Sequence, residues 1–164
     1  MADKRAGVTR PTKRASAIPE PQREPRSWTF RVPIDPSTLS HNQRIHPQER
    51  ARRVKRARLA AEGAWQESGR PVARCRVRLD FAVYRGRKLD EGTVIDGCKA
   101  LVDGLCGLRY SKHPVTRKRL IEPGLLTPDD GPEWVTFGEV QQHIGRCFAE
   151  RPEVMVRAVE DPIG

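Results

Sequence analysis

Alternation of apolar and polar residues is the clearest pattern in this chain. Over residues 75–84 the apolar side chains Cys75, Val77, Leu79, Phe81 and Val83 occupy every second position. A period of two is that of a β-strand with one buried face. Shorter alternations predict further strands at residues 28–32, ended by Pro33, and at about 135–143 and 153–160.

Two other stretches place apolar residues at helical spacing. The first predicts a helix that begins at Pro47 and runs to about Ser68. The second predicts a helix over residues 94–105, with Thr93 as its N-cap and Gly107 just past its end. Its polar stripe carries Asp96, Lys99 and Asp103. The expected fold class is therefore α/β, a small mixed sheet of about four strands with two main helices and acidic residues at one sheet edge.

The composition divides the chain into a tail and one domain. Residues 1–27 hold four prolines and seven Lys or Arg but almost no large apolar side chain, which predicts a disordered basic Pro-rich tail. It could add phosphate contacts or serve only as a solubilising segment. The remaining residues, 28–164, are expected to form a single domain.

The charge balance narrows the class of partner. With a formal net charge of +10 spread over several segments, nucleic acid is the leading partner. No apolar run approaches the roughly 20 residues of a membrane-spanning helix, so no membrane partner is expected. The four cysteines lack the spacing of a zinc site or a disulfide framework, and no secretory signal is evident. We therefore expect buried free thiols and a cytoplasmic location.

Three basic segments are candidate DNA contacts. Between Arg44 and Arg58 there are seven basic residues and one acid, a bias that favours a phosphate-facing helix surface. A basic turn follows the 75–84 strand, and residues 109–119 hold five basic residues and no acid, which predicts a mobile basic loop. The DNA-binding candidates are Arg50, Arg53, Arg56, Arg87, Lys88, Arg117, Lys118 and Arg119.

Acidic residues are also grouped within this cationic protein. Asp90 falls just beyond a predicted strand, and Asp129 and Asp130 precede another. Carboxylates in a basic protein suggest Mg²⁺ meeting a polyanion, as in an enzyme that cleaves phosphodiesters. Asp129 and Asp130 are equally typical of an ordinary turn, and Lys99 with Asp103 of a surface ion pair.

The order of these parts resembles the RusA family of Holliday junction resolvases, particularly its longer phage and prophage members. Residues 89–93 (Leu-Asp-Glu-Gly-Thr) match the family's Leu-Asp-Pro-Asp-Asn cluster. Residues 99–105 match its Lys and Asp-Gly-Leu, and residues 128–134 match its Pro-Asp-Asp-Ser-Pro turn. Residues 34–37, with Asn42 after them, are similar to its N-terminal Pro-Pro-Ser-x-Asn element. The resemblance covers most of residues 28–160.

The resemblance implies a Mg²⁺-dependent, or Mn²⁺-dependent, endodeoxyribonuclease. Its substrate would be four-way or other branched DNA in recombination and repair, and the enzyme would act as a homodimer in a bacterial host cell, in the cytoplasm or with the nucleoid. The implied metal ligands are Asp90 and Asp130, supported by Asp129. Lys99 would be the essential basic residue and Asp103 a supporting catalytic residue.

One position departs from the family pattern. Gly92 stands where the family has its second Asp, and Thr93 stands for the Asn. Glu91 is one residue out of phase, whereas Asp96 lies about one helical turn further on. The chain is therefore either an enzyme with a substituted ligand or a weakened derivative that still binds branched DNA. A third reading, an RNA- or ribosome-associated protein, is disfavoured because only nine residues are aromatic.

Overall fold

The computed structural model describes residues 24–39 and 44–161. Its strands are β1 (Ser27–Val32), β2 (Val77–Arg85), β3 (Arg109–Lys112), β4 (Arg119–Glu122), β5 (Val135–Ile144) and β6 (Glu153–Glu160). Its α-helices are α1 (Pro47–Glu67) and α2 (Glu91–Leu105), and short 3₁₀ turns cover Pro36–Leu39 and Arg146–Phe148.

Four of the strands form one mixed sheet in the order β1-β6-β2-β5. β6 is antiparallel to both β1 and β2, whereas β2 and β5 are parallel and are connected through α2. A parallel pair needs such a crossover, and a helix commonly provides it. The predicted α/β fold, with a mixed sheet of four strands and two helices, is confirmed.

The core lies between one face of this sheet and the two helices. The alternation in β2 buries Val77, Leu79, Phe81 and Val83, while Arg78 on the other face is exposed. From the helices come small residues of α1, including Ala57 and Ala61, and larger ones of α2, including Leu101 and Leu105. Gly104 allows close contact between the helices, because a Cβ there would lie 2.9 Å from the Cβ of Ala61.

Helix α2 begins earlier than the sequence pattern predicts. Its N-cap is Asp90, not Thr93: Asp90 Oδ2 accepts a hydrogen bond from the backbone N–H of Thr93 over 2.8 Å. The Thr93 hydroxyl donates to Asp90 Oδ1 over 2.7 Å. The predicted Thr93 cap is therefore wrong, because an Asp three residues upstream accepts from one of the first free N–H groups of the helix instead.

The basic segment at residues 109–119 is likewise not an irregular loop. β3 and β4 form an antiparallel hairpin with Tyr110 opposite Ile121 and Lys112 opposite Arg119. The sequence pattern missed both strands because they are only four residues long and their side chains are largely exposed. The prediction of a loop is wrong for the strand residues of this segment, and its predicted mobility stays a prediction.

The structure also bears on the predictions for the N-terminal tail, the cysteines and membrane-spanning helices. The predicted tail lies mostly in residues 1–23, outside the described part, but Arg26 pairs with Glu160 and Ser27 already begins β1. All four cysteines are free. Cys98 and Cys106 are buried as predicted, whereas Cys147 is exposed. Within the described residues, neither helix combines the length and the apolar character needed to cross a membrane.

Candidate functional site

A cleft of about 450 Å³ lies where α1, α2 and the start of β5 meet. It brings together three of the candidate catalytic residues, Lys99, Asp103 and Asp130. The same cleft also includes Asp96 and one of the predicted DNA contacts, Arg50. Residues from three separate segments of the chain therefore form one acidic and basic surface.

Helix α2 fixes the orientation of its polar residues. Its buried stripe, which includes Val94, Cys98 and Leu101, packs into the core, so the opposite stripe must face outward. Asp96, Lys99 and Asp103 lie on or beside that stripe and line the cleft. The predicted amphipathic pattern of α2 is thus the feature that places these charges.

The turn before β5 gives Asp129 and Asp130 different roles. Asp129 Oδ1 accepts a hydrogen bond from the N–H of Gly131 over 2.7 Å, and the Asp129 carbonyl accepts one from the Thr127 hydroxyl over 2.8 Å. These bonds are those of an ordinary Asx turn. Asp129 therefore shapes the turn, while the side chain of Asp130 lines the cleft.

Asp130 lies in an environment that disfavours its ionised form. Partial burial raises the pKa of the Asp130 carboxyl above its ordinary value, and the neighbouring Asp129 and Asp103 raise it further. Because like charges repel, a cation placed among these carboxylates would lower their energy. The cleft is thus a local acidic site within a strongly basic protein.

A basic residue already lies beside this acidic site. Arg58 of α1 donates from Nη2 to Oδ2 of Asp103 over 3.0 Å. Arg50, one of the predicted DNA contacts, lines the same cleft from the first turns of α1. The site therefore combines carboxylates with Lys and Arg side chains, as expected where a polyanion and a cation meet.

Asp90 does not line this cleft, because it lies at the opposite end of α2 from Asp103. It precedes α2, whereas Asp103 lies near the helix end, and at 1.5 Å per residue the two are about 20 Å apart along the axis. Asp90 borders a neighbouring cleft of about 880 Å³, which shares Phe137 of β5 with the first. Both clefts lie along β5, an edge strand, but the structure does not bring Asp90 and Asp130 together within one chain.

The immediate contacts of Asp90 are those of a helix cap. The Thr93 hydroxyl and the Thr93 backbone N–H hold the pKa of the Asp90 carboxyl below its ordinary value, because both donate to the charged form. This arrangement stabilises the start of α2. The implied role of Asp90 as a metal ligand shared with Asp130 stays a prediction, and the positions in a single chain do not support it.

The first cleft offers too few carboxylates to enclose a metal ion by protein ligands alone. Within residues 24–39 and 44–161, no group of three or more His, Cys, Asp or Glu side chains is placed to hold a metal. Asp103 and Asp130 nevertheless supply hard oxygen donors. Mg²⁺ is usually bound through one or two carboxylates, with water and substrate phosphate completing its shell. Asp103 and Asp130 line one cleft, and the charge of Asp103 raises the pKa of Asp130, so they are the two carboxylates that could serve such a shared site.

Gly92 leaves open space at the start of α2. A Cβ added there would meet only Oδ2 of Asp90, at 3.6 Å, which is an ordinary contact. A carboxylate could therefore be accommodated beside Asp90. Position 92 itself supplies no carboxylate, although Glu91 of the first helical turn and Glu139 of β5 line the same cleft as Asp90.

The predicted DNA contacts are not all equally available. Arg53 pairs with Glu49 over 3.0 Å, and Arg50 is half-buried in the cleft. The remaining candidates are exposed: Arg56, Arg87, Lys88, Arg117, Lys118 and Arg119. Asn42, part of the N-terminal resemblance, lies outside the described residues.

Two features near the cleft are not predicted by the sequence pattern. Phe137 is 37% exposed and lines both clefts. Arg58 was counted only as part of the basic face of α1, and its pairing with Asp103 depends on how the two helices pack. Neither relationship has a signal in the linear sequence.

Comparisons of the chain with protein-family models, with curated proteins and with solved structures find no match. A proposal for function therefore rests on the residues, their geometry and the resemblance of their motifs.

Proposed function

We propose that the protein is a divalent-metal-dependent endonuclease that cuts four-way or other branched DNA. The observation that supports this proposal is the convergence of Lys99, Asp103 and Asp130 in one cleft of a protein with a net charge of +10. Each of the three belongs to a motif that resembles the RusA family. Lys99 and Asp103 share α2, and Asp130 joins them from the turn before β5; a functional site requires such convergence of separate segments, whereas an ordinary turn does not.

Each residue of the cleft has a chemical role in phosphodiester cleavage. Asp103 and Asp130 would hold the divalent cation beside the scissile phosphate. When bound, the ion supplies positive charge to the attacked phosphate and lowers the pKa of water. The Lys99 ammonium stabilises negative charge that develops on the phosphate during the reaction. Arg50 in the cleft and the exposed Arg56 on the same helix neutralise neighbouring phosphates.

A homodimer belongs to this proposal. Resolution of a four-way junction needs two symmetric incisions, and a two-fold dimer presents two equivalent sites. The support for it is the resemblance alone.

The test is cleavage of a labelled four-way junction in Mg²⁺ or Mn²⁺ by the full chain and two variants. Asp130→Asn removes a carboxylate from the cleft, and we expect nicking to fall by about 100-fold or more, the scale of losing one charge-stabilising contact. Glu133→Gln is the matched control, because Glu133 is an exposed acid in the same turn that does not line the cleft. It should cut at the wild-type rate.

Two results would reject the proposal. One is the absence of nicking by the wild-type protein across metals and pH while junction binding is intact. The other is equal nicking by the wild type and Asp130→Asn, which would indicate a contaminating nuclease or a different site.

A second candidate function is a non-catalytic module that binds branched DNA. It is favoured by Gly92, and by the lack of a three-ligand metal group among the described residues. Basic segments alone would supply the affinity, so binding would fall steeply with salt and would need no metal.

Binding measurements with and without EDTA separate the two candidates. The non-catalytic module predicts that the double variant Asp90→Asn and Asp130→Asn binds a junction as tightly as the wild type. It also predicts that EDTA changes nothing. The nuclease predicts that the double variant loses the part of its affinity that depends on metal.

A further inference from the structure

The β3–β4 hairpin is a two-stranded ribbon separate from the main sheet. Its turn is internally hydrogen-bonded: the N–H of His113 donates to the Lys118 carbonyl, and the N–H of Arg117 donates to the His113 carbonyl, both over 2.9 Å. His113 Nδ1 accepts from the N–H of Thr116 over 3.2 Å. The ribbon is therefore a defined element with its own turn and not an unstructured insertion.

The base of the hairpin is fixed next to the acidic cleft. Gly124, just after β4, is so close to the end of α2 that a Cβ there would lie 2.1 Å from the Cys106 carbonyl oxygen. Arg109 of β3 pairs with Glu62 of α1 over 3.6 Å. One helical turn away on α1, Arg58 pairs with Asp103 of the cleft. The hairpin thus starts beside the proposed catalytic residues.

One face of the ribbon combines apolar and cationic side chains. Tyr110 is 55% exposed and Ile121, directly opposite, is 65% exposed. Lys112 and Arg119 lie on the same face because strand side chains alternate. The Arg119 guanidinium lies 3.8 Å from the centre of the Tyr110 ring, so a planar cation is already stacked on the aromatic ring. At the turn, Val115 is 83% exposed.

The charge of the ribbon indicates what kind of partner covers this face. Residues 109–122 contain five Lys or Arg and one acid, Glu122, which accepts a hydrogen bond from the Ser111 hydroxyl. Such a surface is complementary to a polyanion. Phosphate contacts alone, however, do not need exposed tyrosine and isoleucine side chains. Aromatic and guanidinium planes are the surfaces on which unstacked bases bind in single-stranded or opened nucleic acid.

We propose that the β3–β4 hairpin is the element that recognises the branch point of the DNA. Tyr110 and Ile121 contact a base that is unstacked at the branch, and Lys112, Arg117 and Lys118 bind the flanking phosphates. The inference deepens the proposed function and rests on its claim that branched DNA is the substrate. It also explains how a cleft with generic phosphate chemistry selects branched over linear DNA.

The test compares binding of two double variants to a four-way junction and to a linear duplex of the same sequence. In Tyr110→Ser with Ile121→Ser we expect junction affinity to fall by about 5- to 150-fold, the range for loss of one base stack. Duplex affinity should stay within about two-fold, because the basic residues remain. Leu59→Ser with Val72→Ser is the matched control, since these residues are 57% and 60% exposed elsewhere. It should bind like the wild type.

A junction with 2-aminopurine at the branch gives a direct reading of base contact. Wild-type protein and the control variant should change its fluorescence equally, and the hairpin variant should not. Equal junction affinity and equal fluorescence for the hairpin variant would overturn the inference, even if the wild type still binds and cuts junctions. Loss of affinity that only follows dissociation of a dimer, measured by sedimentation, would also overturn it and assign the face to a second copy. No DNA binding by the wild type would overturn the proposed function itself.

Discussion

The Arg58 guanidinium lies 3.0 Å from Oδ2 of Asp103, joining α1 to α2 beside the candidate cleft. Both side chains are about half exposed, at 54% and 41%. Exposed ion pairs add little to stability. The main consequence of this pair is therefore local: Asp103 already has a cationic partner, and a divalent ion must compete with it.

Replacement of Arg58 should separate stability from cation binding. We expect Arg58→Gln to change the free energy of unfolding by less than about 1 kcal/mol, because the pair is exposed. We also expect it to tighten Mn²⁺ binding at the cleft several-fold, measured by water proton relaxation. Arg53→Gln is the control, since Arg53 pairs with Glu49 on its own helix. Weaker Mn²⁺ binding in Arg58→Gln would contradict the competition.

Asp130 should cost the protein stability at neutral pH. Its folded-state pKa is raised by burial and by neighbouring carboxylates, so the folded protein binds the proton more tightly than the unfolded chain does. Stability from this group is therefore lost as pH rises from the unfolded pKa through the folded pKa. Asp130→Asn should raise the free energy of unfolding at pH 7, by less than about 1 kcal/mol, because the carboxyl is only partly buried and solvent screens the exposed part of the side chain.

The pH dependence of that gain is the critical measurement. Urea unfolding of Asp130→Asn and wild type should differ at pH 7 and converge below about pH 3, where the wild-type carboxyl is protonated in both the folded and the unfolded state. Glu133→Gln, in the same turn, serves as the control and should show no such gain. Destabilisation by Asp130→Asn at pH 7 would mean that the carboxylate is held by favourable contacts.

Periodicity was sufficient to predict the scaffold. Val77, Leu79 and Phe81 alternate strictly, and this period of two matches a strand with one buried face. Ala57, Ala61 and Ala64 recur at the spacing of one helix face. These patterns reflect the local geometry of the backbone, so they can be recognised in the sequence itself. The strand order and the pairing of Arg58 with Asp103 depend on packing between distant segments, and the linear sequence carries no signal for that packing.

Two predictions are wrong for physical reasons: two residues could each cap α2, and strands β3 and β4 are almost fully exposed. Thr93 and Asp90 are both residue types that cap helices well, and residue type alone does not distinguish them; in the structure Asp90 is the cap. Nearly all side chains of the short strands β3 and β4 are exposed, so these strands have no alternation of apolar and polar residues from which they could be predicted. The separation of Asp90 from Asp130 follows from the length of α2, because motif order alone carries no distance.

Glu160 should make the protein sensitive to acid. Its carboxylate is only 7% exposed and accepts hydrogen bonds from Arg26 Nη2 over 2.6 Å and from the Arg74 N–H over 2.8 Å. The Arg26 side-chain bond is the main cause of a lowered Glu160 pKa. The stability it supplies is present above the unfolded pKa and is lost as pH falls through the folded pKa. Glu160→Gln should therefore cost about 1–3 kcal/mol at pH 7.

Urea unfolding at two pH values checks this expectation. The difference between Glu160→Gln and wild type should shrink at pH 3, where the wild-type carboxyl begins to take up its proton. Glu153→Gln is the matched control, because Glu153 pairs with Arg31, which is 73% exposed, on the same strand pair. It should cost less than about 1 kcal/mol. A difference for Glu160→Gln that is independent of pH would assign the loss to packing.

Gly92→Asp tests whether the start of α2 retains the outline of a metal site. The new carboxylate fits, since a Cβ at position 92 meets only Asp90 Oδ2 at 3.6 Å, and it lies in the first helical turn, where negative charge is favourable. Its repulsion with Asp90 can be relieved by a cation, so Mn²⁺ should raise the Tm of Gly92→Asp by more than that of the wild type. Gly92→Asn, of the same size without the charge, should respond like the wild type.

If junction nicking rises in Gly92→Asp and not in Gly92→Asn, the helix start contributes to catalysis. An equal Mn²⁺ response in all three proteins would show that Asp90 is only the cap of α2.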